Sequence, residues 1–177
     1  MYETSKRFYL ILITVFAFLF LITYMYNVKL TTDVENLRKL TKAYELYVSG
    51  SNDFSKYVKD NNLKELDWLI SKKLLSDVRS KLDSAKDAYR RGNYADASVL
   101  LREIKDVDNP WMDEIYFYLG MSLYKIGEVE SSKLFLSAFI QSFQYSIYRK
   151  EALLLLKDLS TGDVKKQVES ILSQMGI

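Results

Sequence analysis

The sequence predicts an all-α protein, with one membrane-spanning helix at the N-terminus and a body of paired helices behind it. Three observations carry this. The 177 residues include one proline and six glycines, too few breakers for the many tight turns of an all-β chain. No residue from Phe8 to Val28 carries a charge. Gly92, Gly127 and Gly162 stand 35 positions apart, and turns at equal intervals mark stacked helical units.

Composition closes off several chemistries. With no histidine and no cysteine, the chain cannot build disulfides, thiolate nucleophiles, His-based proton relays or His/Cys-ligated metal sites. A net charge of +2 gives no general attraction for nucleic acid. There is no Walker-type Gly-Lys-Ser/Thr and no paired-glycine phosphate loop, so no cofactor is expected. Glu128-x-Glu130 and Asp106-x-Asp108 come nearest to the paired carboxylates of a glycosidase. Both lie in turn-like sequence, where solvated caps are expected. The chain therefore reads as a non-enzyme, with a carboxylate-dependent enzyme acting on envelope polymers as an alternative.

Residues 1–7 form a short basic tail containing Lys6 and Arg7. Residues 8–28 follow as the span. At ~1.5 Å rise per residue this run reaches ~30 Å, the thickness of a bilayer's hydrocarbon layer. Tyr9 near one end and Tyr24 and Tyr26 near the other suit the two interfaces. Thr14 and Thr23 can bond back to their own helix. The run exceeds the ~7–15 apolar residues of a signal peptide and no Ala-x-Ala site follows, so an uncleaved anchor is expected. Pilins also begin with a hydrophobic helix, but Arg7 precedes Phe8 and the run holds no glutamate, so that reading is set aside. A short basic tail stays in the cytoplasm, placing the body outside it.

Residues 29–76 are read as linking and capping helices. Leu30, Val34, Leu37, Thr41, Tyr44 and Val48 alternate steps of four and three. This is the stripe of an amphipathic helix lying on its own domain or, alternatively, of a short coiled coil giving a homodimer beside the membrane. Ser49 to Asp53 breaks the helix. Residues 54–91 are helical again, with Asn62 and Glu65 as a capping-box-like start. A division at Ser71 or Ser76 is left open.

Residues 77–177 divide into units of about 77–110, 111–146 and 147–177. In each, an apolar helical segment meets a glycine turn and a second helical segment. Glycine suits such a turn because its backbone angles resist other residues. Ala97 and Ser132 each follow their glycine by five positions and permit close helix approach. Pro110 suits a first helical turn, with Asn109 as cap and Asp113 and Glu114 near the positive helix end.

The second unit carries Tyr116-x-x-Leu119-Gly120-x-x-Leu123-Tyr124, then Gly127, Ser132, Leu136 and Phe139. The first carries Ala85, Tyr89, Gly92, Tyr94, Ala97 and Leu101, then Pro110. These features resemble the tetratricopeptide repeat (TPR) family. The third unit departs from the pattern at Leu155 and Gln167 and resembles a degenerate cap. The resemblance implies an α-solenoid of helical hairpins over residues 77–177. It implies a concave groove lined by the first helix of each pair, which holds a protein or peptide partner. In register, the groove comprises Arg79, Leu82, Lys86, Tyr89 and Arg90, then Phe117, Met121, Tyr124 and Lys125, continued by Arg149, Ala152 and Leu156. Leu82, Phe117 and Leu156 read equally well as core. Phe143-Gln144-Tyr145-Ser146 followed by Glu151-Ala152 is similar to a phrase of bacterial envelope TPR proteins, including outer-membrane assembly lipoproteins and the Tol-Pal-associated TPR protein. The phrase lacks the proline of those proteins, and the likeness implies only a cell-envelope compartment; with the span at residues 8–28, a single-pass inner-membrane protein is expected.

Overall fold

The computed structural model describes residues 2–176, with side chains from Leu12 onward. Lys6, Arg7, Phe8 and Tyr9 thus lie outside the described side chains. Every regular element among these residues is helical. The chain divides after Ile70 into two compact units.

The first unit opens with α1, Tyr2–Val48. The expected span and linking helix are one element, since the helix runs through Lys29 unbroken. Nothing between 28 and 48 can stop it, since the stretch holds neither proline nor glycine. Its apolar segment is long enough to cross a membrane, and none of that segment is buried against the chain. Thr23 donates its hydroxyl to the Leu19 carbonyl at 2.9 Å, as the sequence suggested. Thr31, Thr32 and Thr41 do the same with Asn27, Val28 and Leu37.

α1 ends at the predicted break. Gly50 adopts φ +70°, and the Gly50 and Ser51 amides donate to Tyr47 and Leu46 at 3.0 Å. These are the two crossed bonds of a Schellman cap. Helix α2, Phe54–Asp60, follows. Phe54, Val58, Leu63, Leu66 and Leu69 pack with Ala43 of α1 into one core. Asn62 is not the N-cap that the sequence suggested. It sits at φ +54°, and the amides of Asn62 and Leu63 bond back to Lys59 and Val58. Asparagine is among the few residues that tolerate this left-handed geometry, so here it closes α2 instead of opening a helix. A short 3-10 turn, Lys64–Leu66, leads into α3, Asp67–Arg90. Neither Ser71 nor Ser76 interrupts α3.

The second unit comprises the rest of α3, then α4 (Tyr94–Ile104), α5 (Met112–Lys125), α6 (Val129–Ser142), α7 (Arg149–Leu159) and α8 (Gly162–Gln174). From α4 onward each helix packs against the next. Val78, Leu82 and Ala85 of α3 share a core with Leu101, Ile104, Ile115, Leu119 and Leu123. A second core joins Phe117, Leu136, Phe139, Leu153, Leu156, Val168 and Leu172. Tyr116 and Tyr118 touch both.

The three glycines fall between α3 and α4, α5 and α6, and α7 and α8. The first two turns match bond for bond. Gly92 and Asn93 donate to Tyr89 and Ala88, and Gly127 and Glu128 donate to Tyr124 and Leu123, with φ of +82° and +87°. The third differs. Ser160 and Thr161 are extended, and Gly162, at φ +60°, is the first residue of α8.

Helices α5 and α6 approach closely at Gly120. A Cβ on Gly120 would stand 2.8 Å from Cγ and Cδ2 of Leu136. Ser132, fully buried, donates its hydroxyl to the Gly120 carbonyl at 2.8 Å. The small residues at 97 and 132 are both fully buried, as close approach requires. Asn109 accepts from the Trp111 amide at 2.8 Å and donates to the Val107 carbonyl. It shapes the turn before α5 but is not the cap the sequence suggested, because the helix starts two residues later than expected, at Met112, with Trp111 at the N-cap position and Pro110 ahead of the first turn.

Candidate functional site

The side chains that gather on one face of the second unit come from α3, α5 and the connections just before α5 and α7. Residues 35 apart occupy matching places on successive first helices, which sets Arg79 beside Glu114. Their Nη1 and Oε1 are 3.9 Å apart. Lys86, two turns further along α3, donates to the other Glu114 oxygen. One carboxylate thus answers two cations. Lys86 and Glu114 are both largely screened from water, at 20% and 18% side-chain exposure.

Arg79 also binds Asp83 at 3.2 Å through Nε. Its guanidinium carbon lies 5.3 Å from the Trp111 ring centroid, within cation–π range. A cleft of about 620 Å³ opens here, lined by Leu75, Arg79, Asp83, Asp87 and Trp111.

Next to the ion cluster runs a row of rings. Tyr89 meets Tyr94 edge-on at 5.1 Å and Tyr118 at 5.4 Å. Tyr118 meets Tyr148 at 5.6 Å, and Tyr148 stacks on Phe117 at 4.6 Å. Such pairs add ~0.5–1.5 kcal/mol each beyond their burial. Lys86 Nζ sits 5.5 Å from the Tyr118 centroid. Burial raises the Tyr148 hydroxyl to about 12, helped by its Tyr118 neighbour and by Glu114 and Asp113. Burial likewise lifts Tyr89 to about 12, with Tyr94 and Glu151 adding to it. Both phenols therefore stay protonated and able to donate at neutral pH.

Arg79, Lys86 and Tyr89 lie together in this cluster. Leu82, Phe117 and Met121 do not line a groove. They are 0%, 3% and 7% exposed and belong to the cores, because apolar side chains at the helix–helix seam gain more from burial than from facing water. Ala152 and Leu156 are core for the same reason. Arg90 is exposed and pairs with Asp87 at 2.7 Å. Tyr124 and Lys125 lie near the α5–α6 turn, the ammonium 5.7 Å from the ring. Arg149 donates to the Ile140 carbonyl at 2.5 Å.

Glu114, Trp111, Tyr118 and Tyr148 were missed. Advancing Arg79 by one 35-residue step lands on Glu114, an opposite charge in the same register, and that signal was available. Tyr148 had none, since it lies in the connection before α7. The Phe-Gln-Tyr-Ser phrase has a local task, with Ser146 donating to Asp113 at 2.8 Å.

The acidic pairs are engaged elsewhere. Glu128 meets Arg102, Glu130 meets Lys133, and Asp106 meets Lys105. Among the described residues no group of acidic side chains gathers at metal-binding spacing. No family model, curated protein or solved structure matches the chain.

Proposed function

We propose that this protein is a membrane-anchored, TPR-like scaffold that holds a segment of another protein against the α3–α5–α7 face. The observation that carries the reading is the joining of Arg79, Lys86 and Glu114 to the Tyr89–Tyr118–Tyr148 row, built on α3, α5 and the connection before α7. Aromatic surface beside paired charges gives apolar contact together with polar steering, which suits a peptide or helix ligand. Equal turns at Gly92 and Gly127 support the TPR-like stacking, with the third pair as a departed, terminal unit. The apolar stretch of α1 supports a single-pass anchor. The body is placed outside the cytoplasm in a bacterial envelope assembly, on the strength of the short basic tail and the sequence likeness.

Photocrosslinking residues placed at Asp83 and Trp111 in cells test this. Adducts with one discrete protein are expected there, and none from Val99 or Leu134, which are exposed on second helices. Equal adducts from all four positions, or none from Asp83 and Trp111, would refute the groove. Protease digestion of intact cells tests the orientation.

A further inference from the structure

Helix α1 carries two apolar faces, and among the described residues only one is packed into the core of the first unit. Ala43 is fully buried, with Leu40, Leu46 and Tyr47 packed around it against the α2 core. The other face holds Leu30, Val34, Leu37, Tyr44 and Val48, exposed at 50%, 55%, 62%, 47% and 82%. At about 100° per residue these five and Thr41 fall within about 40° of one line. Ala43 lies about 140° from that line, so a helix covering one face cannot reach the other.

The geometry points to a second copy of this chain on the uncovered face, in a parallel two-stranded coiled coil. The residue types fit that occupant. Numbering the stripe as heptads puts Val34, Thr41 and Val48 at a and Leu30, Leu37 and Tyr44 at d. Branched residues at a with leucine at d favour two parallel strands. Thr41 is no obstacle, because its hydroxyl already bonds the Leu37 carbonyl at 2.9 Å and its methyl is left for the seam. Asn27 occupies the preceding a position, where a polar side chain paired with its twin fixes register.

The charges give an independent argument. Glu35 pairs with Lys39 at 3.0 Å and Lys42 with Glu45 at 3.3 Å within α1. Among the described residues neither Asp33 nor Arg38 has an ion pair. In the heptad frame these two are g and the following e, the positions that meet across a parallel seam. Two copies would join Asp33 of each to Arg38 of the other. The parallel direction rests on both copies being anchored in one bilayer, whereas the seam itself does not.

The chain has no cysteine, so single introduced thiols report cleanly in the full protein in membranes. Val34→Cys, Leu37→Cys and Val48→Cys are expected to form disulfide-linked dimers about tenfold faster than Glu35→Cys and Lys42→Cys, which face away. Equal rates at all five, faster linkage at 35 and 42, or products of any mass other than twice the chain overturn the proposal. Efficient self-linkage at both 34 and 48 requires parallel strands, since an antiparallel pair meets itself only near mid-seam. Asp33→Arg is expected to weaken dimerisation by about threefold or more, and Arg38→Asp in the same chain to restore it. Failure of that restoration also overturns it. Alkaline extraction reads the anchor separately, so a soluble but seam-linked dimer would sink only the membrane reading, and an embedded monomer only the dimer.

Discussion

Gly120→Ala probes the α5–α6 contact on which the paired-helix body depends. In an open helix interior the change stabilises by ~1 kcal/mol, because alanine loses less backbone entropy. Here the added methyl would meet Leu136 Cγ and Cδ2 at 2.8 Å, about 1 Å inside ordinary carbon–carbon contact. Leu136 is fully buried and cannot swing into water. Overpacking of this kind costs ~1–3 kcal/mol. Spreading the helices also stretches the Ser132–Gly120 hydrogen bond, worth ~1 kcal/mol. The net expectation is a loss of ~1–3 kcal/mol, seen as a Tm lower by ~5–15 °C for a unit of about this size. Thermal melts by circular dichroism of the full chain in detergent measure it. Adding Leu136→Ala should recover part of the loss relative to additivity, since it removes the atoms that clash. A Tm raised by Gly120→Ala, as helix propensity alone dictates, would refute the close packing.

Three other outcomes are expected. Ser122→Ala should stabilise by ~1 kcal/mol, because Ser122 Oγ is buried without a partner, and an unchanged or lowered Tm would indicate a partner for the hydroxyl. Glu114→Gln should cost about 1 kcal/mol by leaving Lys86 uncompensated, Arg79 keeping Asp83, and Lys86→Met together with it should recover part of that in the same melts. Tyr89 and Tyr148, raised to about 12 from 10, should ionise after the exposed tyrosines in an ultraviolet titration. Their stabilising contribution is whole below pH 10 and is lost as pH climbs from 10 toward 12, because only the unfolded phenols give up protons in that window. Tyr148→Phe should flatten that loss.

The turns were the most legible part of the chain. Gly92 and Gly127 require left-handed angles, and no other residue type announces this so plainly. Asn62 shows where such reading fails. The same side chain suits an N-cap and a left-handed C-terminal residue, and only the position of Asp60 and Leu63 in space decides. The unbroken course of α1 past Val28 could not be read from hydropathy, which registers the change from apolar to amphipathic but not the absence of a bend. At the candidate site, Arg79, Lys86 and Tyr89 were found because the glycine spacing set the register of the helix that carries them. Leu82 and Phe117 were left open between groove and core and Met121 was set in the groove, since an apolar residue looks the same whether it faces a neighbour or a groove. The Lys86–Glu114 contact joins residues from different helices, and local pattern does not report it.

The uninterrupted α1 also sets a length. On the proposed anchoring of residues 8–28 in lipid, residues 29–48 would rise ~30 Å from the surface as one stiff rod. The α2 core packed on it at Ala43 is held at a fixed standoff and a fixed compass bearing. Seven inserted residues would lift the top by ~10 Å with the bearing nearly kept, whereas two would swing it through more than half a turn.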